Sequence, residues 1–280
     1  MERPAVRLKG YRLMVCGECR GWTLLPRPTW RDQAALHDNE TYFDHPYLVH
    51  RRSFAAAVDR RCAAIFRQIA KFVDVPGICG QRMLDVGCDV GLLLSSAARQ
   101  FGVVPVGIDV SQRAAEQARA NGIEAYACRL EDAPPHLRDF PLVTAIDLIE
   151  HVADPGLFFR SLAERVRPGG IFYVETPNPG SSVFQVGRIL CTLAGCRPSG
   201  AFHRLYPPEH VQYYTREGLR CVARSSGLEI VAIGSRVLPA REIAVSWPVR
   251  FGLMPLQAAD IAKREMALMW SILIRPRRAG

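Results

Sequence analysis

Apolar and polar positions follow two different periods along this chain. From Arg51 to Val73 the apolar residues Phe54, Val58, Cys62, Ile65, Phe66, Ile69 and Phe72 recur mostly at three and four, which predicts an amphipathic helix. After it come short apolar runs, Met83 to Val86, Val103 to Ile108, Glu124 to Cys128, Leu142 to Ile146 and Ile171 to Glu175. Helical patterns such as Ser111 to Ala120 and Pro155 to Val166 separate most of them. Strands alternating with helices predict an α/β fold with a doubly wound parallel sheet. Leu228 to Ser235 reads as a sixth strand and Ala267 to Ile274 as the last. Between them lies an insertion, Pro239 to Met266, where the Pro and Trp of VSWPVRFGLMP predict a loop or lid with short helices. Upstream, Pro26, Pro28 and Pro46 break any long element, so residues 1 to about 50 are expected to be an irregular appendage.

Composition adds a size and excludes some partners. The chain has 280 residues, 49% of them hydrophobic, enough for one large domain with additions. Its formal charge of +9 comes from 36 basic residues of which 33 are arginine, scattered along the chain, and the longest cluster, Arg275, Arg277 and Arg278, is a tail. No nucleic-acid partner is expected from that distribution. The most apolar late run, Met266 to Ile274, is far shorter than the ~20 residues that span a bilayer, and no apolar run follows the first charges. A cytoplasmic location is expected, whereas oligomeric state is not legible.

Nine cysteines at irregular spacing read as reduced thiols, mostly buried. Only Cys16 and Cys19, in VCGEC, have metal spacing, and the segment resembles half of a zinc ribbon. Structural zinc needs four ligands, and the other close pair, Cys191 and Cys196, is looser and distant. A remnant knuckle or two ordinary thiols are the alternatives.

The segment MLDVGCDVGLLL, residues 83 to 94, runs from an apolar strand through a glycine turn into a helix. This is the opening of a nucleotide-binding βα unit, whose ligand sits beyond the carboxyl ends of the strands. Asp109, at the end of the second strand and 22 positions after Gly87, can reach ribose hydroxyls. Nicotinamide dinucleotides and S-adenosylmethionine both offer that ribose. Asp89 separates them. Counting G-x-G-x-x-G from Gly87, the second and third glycine positions are Asp89 and Leu92, and a carboxylate there would repel a pyrophosphate. S-adenosylmethionine carries no phosphate, but a sulfonium and an ammonium, and a negative loop suits it.

The segments LDVGCDVG, GIDVS, LEDAP, AIDLIEHVADP and RPGGIFYVETPNP, in this order and spacing, resemble the successive motifs of class I S-adenosylmethionine-dependent methyltransferases over about residues 80 to 236. PPEHVQYYTREGL, residues 207 to 219, resembles a bacterial small-molecule subgroup, some members of which carry an N-terminal cysteine knuckle. The resemblance implies a Rossmann-like sheet of seven strands, mostly parallel with a reversed last strand, and helices on both faces. It divides the chain into an appendage, 1–50, and a methyltransferase domain, 51–280, with insertions at about 178–213 and 237–266.

The resemblance further implies that Asp85, Gly87, Cys88 and Gly91 surround the methionine part of the cofactor and that Asp109 holds both ribose hydroxyls. Val110 would flank the adenine, with Leu130 and Glu131, or Asp132, against its ring edge and exocyclic amine. Asp147 and Leu148 would line the space between cofactor and substrate. Asp89 departs from the family, which usually has glycine there, so the rival outside enzymes is a cofactor-binding relative without catalysis. The rival within enzymes is a nicotinamide oxidoreductase. A DNA amino-methyltransferase is disfavoured, because the fourth strand ends in DLIEH and not in an Asn/Asp-Pro-Pro-aromatic box.

The expected reaction is methyl transfer to a hydroxyl of a small molecule, which needs in-line alignment, exclusion of water and removal of a proton. The candidate catalytic residues are His151, after a strand end, and His210, in the insertion after the fifth strand; His203 is a further acceptor contact. A structural histidine capping the next turn is the alternative for His151. Asp147, Glu150 and His151 also resemble the acidic, acidic, histidine motif of ubiquinone-pathway O-methyltransferases, where those positions are linked to a divalent metal. Glu-His is common at this place across the wider family without metal, so no metal ligand is assigned.

Overall fold

A period-two alternation shapes the first residues of the chain: Leu13, Trp22 and Leu24 are buried, while Arg12 is exposed and Thr23 partly so. The computed structural model describes residues 4–8, 11–29, 31–32, 55–72, 76–193, 205–207, 209–237 and 247–276. Within it the N-terminal part holds three strands, β1 (Pro4–Leu8), β2 (Tyr11–Val15) and β3 (Trp22–Leu25). The expected irregular appendage is corrected over this stretch. Its prolines at 26 and 28 lie just beyond β3 and break nothing inside it.

The predicted first helix is α1 (Ala55–Ile69). The alternation that follows is β4 (Arg82–Val86), α2 (Leu92–Phe101), β5 (Val104–Asp109), α3 (Gln112–Ala120), β6 (Glu124–Ala127), β7 (Phe140–Ile146), α4 (Pro155–Arg165) and β8 (Val166–Pro177). The first insertion contains α5 (Ser182–Leu193) and the short β9 (Gln212–Tyr213). Then come α6 (Arg216–Ser225), β10 (Glu229–Arg236), α7 (Trp247–Lys263) and β11 (Leu268–Ile274). The second insertion was expected to hold a loop or short helices; over 247–263 it is one 17-residue helix. Pro248 sits in its first turn, where no hydrogen bond is lost, and Pro255 is accommodated inside.

The main sheet has seven strands in the order β10-β11-β8-β7-β4-β5-β6. β11 runs antiparallel to both β10 and β8, and the remaining pairs are parallel. This is the expected sheet with a reversed last strand. Its order changes direction between β4 and β7, which puts a crevice beyond their carboxyl ends. One face packs on Phe158, Phe159 and Leu162 of α4 and Leu219 of α6, and the other on Ile65 and Phe66 of α1 and Leu94 of α2. A second, antiparallel sheet of order β1-β2-β3-β9 joins the N-terminus to the insertion after β8. Trp22, Phe184, Tyr206 and Tyr213 form its core. No described helix is long and apolar enough to cross a membrane.

Candidate active site

The β4–α2 turn is held open by left-handed residues. Gly87 and Gly91 have φ of +76° and +79°, and a Cβ on Gly91 would fall 2.2 Å from Ile123 Cδ1. Asp89, at φ 50°, adopts the same region with a side chain attached. That conformation is why glycine is usual there, and aspartate is among the few residues that tolerate it. The Asp89 N–H donates to Asp109 Oδ2 at 2.9 Å, and the Ser111 N–H donates to Asp109 Oδ1 at 2.9 Å. Asn121 Nδ2 donates to Val90 O at 2.9 Å and ties the turn to the end of α3.

Asp85 is buried and accepts from Thr144 Oγ1 at 2.6 Å. The Cys88 side chain turns into the core, 2.5 Å from the place a Cβ would take on Gly107, so only its backbone faces the turn. Burial, followed by the charges of Asp109, Asp85 and Asp89, pushes the Cys88 thiol well above its ordinary range. Three carboxylates thus surround this turn, an environment that attracts a cation and repels phosphate.

Along the edge expected to meet adenine, Val110 is 41% exposed at the end of β5. Leu130 is a core residue, which leaves its backbone alone to face a ligand. Glu131 is partly buried, with an oxygen 4.0 Å from Arg129 Nε. Asp132 is turned onto the Arg129 guanidinium, at 2.7 and 3.0 Å, and that bond holds its carboxyl below the usual range.

Beyond β7 and β8 the charges are matched. Asp147, at φ 54°, and Glu175 both accept from Arg61 Nη2, at 2.9 and 2.6 Å. Arg236 also clasps Glu175, Nη2 to Oε1 at 2.5 Å and Nε to Oε2 at 3.0 Å. Burial alone would raise the Glu175 carboxyl, but Arg61 and Arg236 outweigh it and hold it below the usual range. Sequence reasoning missed Arg61, Glu175 and Arg236. The available signal was an acid directly after the apolar run Ile171 to Val174, which must be paired to be buried.

Glu150, in the 3-10 turn Ile149–His151, behaves in the opposite way. Burial and the neighbouring Asp147 charge push its carboxyl up to about 8, despite the bond that it accepts from Thr176 Oγ1 at 2.9 Å. Next to it the His151 and His210 rings meet edge to face, with centroids 4.7 Å apart. The two predicted histidines are therefore brought together. His151 Nδ1 lies 3.1 Å from Glu209 O. A carbonyl only accepts, so Nδ1 carries a proton, and in the neutral ring Nε2 then holds the lone pair. Leu148 bridges the two halves, since its Cδ1 is 3.0 Å from the Cβ position of Gly87. His203 lies outside the described residues.

Ligand atoms of Glu150, His151 and His210 all lie within 4.8 Å of one another. Such oxygen and imidazole donors suit a divalent cation, which would displace the Glu150 proton. Asp147, in the motif considered from sequence, faces Arg61 instead. Of the other close cysteine pair, Cys196 lies outside the described residues, as does the Cys191 side chain.

Comparisons with known proteins agree with this arrangement. A profile described as "Methyltransferase domain" matches residues 42–233. A ubiquinone biosynthesis O-methyltransferase of Neisseria meningitidis is 38% identical over 111 residues, 36% of this chain and 46% of the relative. One of Idiomarina loihiensis is 28% identical over 171 residues, 58% of this chain and 67% of the relative. The chain thus spans about half the length of the first curated relatives that it matches. Among solved structures, phosphoethanolamine N-methyltransferase 2 of Haemonchus contortus with S-adenosyl-L-methionine has a TM-score of 0.58 at 18% identity, covering 91% of this chain and 63% of that one. A SAM-dependent methyltransferase of Archaeoglobus fulgidus has a TM-score of 0.56 at 17% identity, covering 82% and 99%. The match over most of the chain, an acid-lined β4–α2 turn and a sheet whose last strand is reversed lead to one assignment: the chain belongs to the methyltransferase-domain family, with the class I fold of S-adenosylmethionine-dependent enzymes.

Proposed function

We propose that this protein transfers a methyl group from S-adenosylmethionine to a hydroxyl of a small molecule. The observation that carries the reading is the His151–His210 pair, packed edge to face at 4.7 Å beside the strand end that touches the cofactor turn. Local similarity to ubiquinone biosynthesis O-methyltransferases supports a hydroxyl acceptor.

When bound, the cofactor supplies a methyl group made electrophilic by its sulfonium. The chain's own residues position and deprotonate. Asp109, ordered by the N–H groups of Asp89 and Ser111, retains lone pairs for the ribose hydroxyls. Asp85 and Asp89 contribute negative charge beside the amino-acid part. Arg61 is committed to Asp147 and Glu175 and holds these two carboxylates at the acceptor end. His151, with Nδ1 fixed on a backbone carbonyl, offers Nε2 as the base that accepts the acceptor's proton. β3 pairs with β9, whose Tyr213 lies beside His210, so the N-terminal sheet borders this end.

Turnover of phenolic and aliphatic alcohols by His151→Ala and His210→Ala, measured beside S-adenosylhomocysteine affinity, tests the assignment. The variant lacking the base is expected to lose roughly 10²- to 10⁴-fold in rate while keeping cofactor affinity. Parental turnover in both variants would remove the histidines from the chemistry.

A further inference from the structure

The C-x-x-C turn between β2 and β3 is a chemical motif that methyl transfer leaves unused. Cys16 N–H donates to Gly21 O at 2.8 Å, Arg20 N–H donates to Cys16 O at 3.1 Å, and Arg20 has a left-handed φ of 60°. This tight turn folds Cys19 back toward Cys16, where the backbone N–H groups of Cys19 and Glu18 favour a Cys16 thiolate. Both cysteines are partly buried and neither is in a disulfide. The N–H bonds draw the Cys16 thiol below its ordinary value, against the opposing effects of burial and Glu18, whereas burial raises Cys19. A more acidic, partly exposed thiol beside a less acidic one is the pairing from which thiol–disulfide exchange starts.

The turn is also wired to the acceptor side. Thr215 Oγ1, which caps α6, donates to Cys19 O at 2.5 Å. Cys19 Sγ lies 3.6 Å from the Cβ position of Gly218, in the first turn of α6. Gly21 packs with its Cβ position 3.2 Å from Tyr213 O, in β9, and the Tyr213 ring lies tilted against His210, with centroids 5.5 Å apart. Thr23 and Gln212 complete the link with a 2.8 Å bond between β3 and β9.

We propose that Cys16 and Cys19 are an oxidisable dithiol whose state adjusts the seating of β9 and His210. The Cys16 thiolate attacks one sulfur of a low-molecular-weight disulfide, forming a mixed disulfide and expelling one thiolate. Cys19 then gives up its proton and attacks the Cys16 sulfur, and the second thiol leaves. Two protein thiols are oxidised to one disulfide, and the external disulfide is reduced to two thiols. Closing the bond brings the sulfurs to about 2.05 Å. Cys19, held by Thr215 and packed on Gly218, transmits that displacement to α6 and β9. The effect on catalysis rests on the hydroxyl-methylation reading; disulfide formation does not.

The test treats the full chain with glutathione disulfide and follows each thiol by peptide mass spectrometry. Cys16 is expected to react several-fold faster than Cys79 and Cys221, although those two are more exposed, and the peptide holding residues 16–19 then loses two hydrogens. Cys16→Ser should stop the reaction there, and Cys19→Ser should trap glutathione on Cys16. Faster modification of Cys79 or Cys221, or a pair isolated with a bound metal that resists oxidation, would overturn the dithiol. A disulfide that forms cleanly but leaves turnover unchanged would overturn its coupling to β9, while S-adenosylhomocysteine affinity reports separately on the cofactor side.

Discussion

The two ends of the crevice handle negative charge differently. At the β4–β5 end Asp85 and Asp109 bond to a hydroxyl and to backbone N–H groups, and a third acid, Asp89, stands beside them. At the β7–β8 end Glu175 is matched by two guanidinium groups, Asp147 by one, and Glu150 stays protonated into the neutral range. Neutral hydrogen-bond donors order a carboxylate without cancelling its field, whereas an arginine cancels it. The first end therefore retains attraction for a cationic ligand. The second keeps little net charge around the histidines, which suits a place where a proton must move.

The largest effect that sharpens this contrast concerns Glu150. Its folded-state value of about 8 lies above the ordinary 4.5, so the protonated form is favoured on folding. Its contribution is fully present below about pH 4.5 and is lost as pH rises through about 8, by at most about 5 kcal/mol at 1.36 kcal/mol per pH unit. Urea unfolding at pH 5 and pH 8.5 should show that loss in the parent and not in Glu150→Gln. The same slope in both would place the proton elsewhere.

Arg61→Ala comes next. It leaves buried Glu175 with Arg236 alone and Asp147 without its guanidinium, and should destabilise by about 3 kcal/mol, the low end for breaking a buried pair. Thermal melts read the loss. An unchanged midpoint would mean that water replaces Arg61 at little cost.

Asp109→Ala addresses the other end. It removes the acceptor of two backbone N–H groups and should weaken S-adenosylhomocysteine binding by roughly 1 to 3 kcal/mol, read by titration calorimetry. Asp89→Gly is the smallest change. Relief of the left-handed strain should stabilise the fold by ~1 kcal/mol and leave cofactor binding intact, while Asp89→Lys should nearly abolish binding. Severe loss of binding in Asp89→Gly would instead make the carboxylate a direct ligand contact.

The same division explains what could be read from the sequence. The proposed cofactor end is local: Asp85 to Gly91 lie on β4 and the turn after it, Asp109 ends the neighbouring β5, and left-handed glycines, a strand-end acid and the period of the flanking elements announce it. The acceptor end joins distant segments. Arg61 meets Glu175 across 114 positions and Thr215 meets Cys19 across 196, and no short-range pattern encodes such pairings. The N-terminal strands escaped notice for a related reason. Each has only four or five residues, and β3 is completed by a partner in the insertion after β8. Cys88 and Leu130 show a limit of motif transfer, because a position can border a ligand through its backbone while its side chain serves the core.

The central claim is that cofactor binding and proton handling are divided between these ends. Titration of S-adenosylhomocysteine into the parent, Asp109→Ala and the His151→Ala, His210→Ala double variant, with NADH as the control ligand, tests it most directly. The expected result is binding to the parent, a roughly 5- to 150-fold weaker dissociation constant for Asp109→Ala, parental affinity for the histidine variant and no NADH binding. Loss of affinity in the histidine variant as large as that in Asp109→Ala, or NADH binding in preference to S-adenosylhomocysteine, would contradict it.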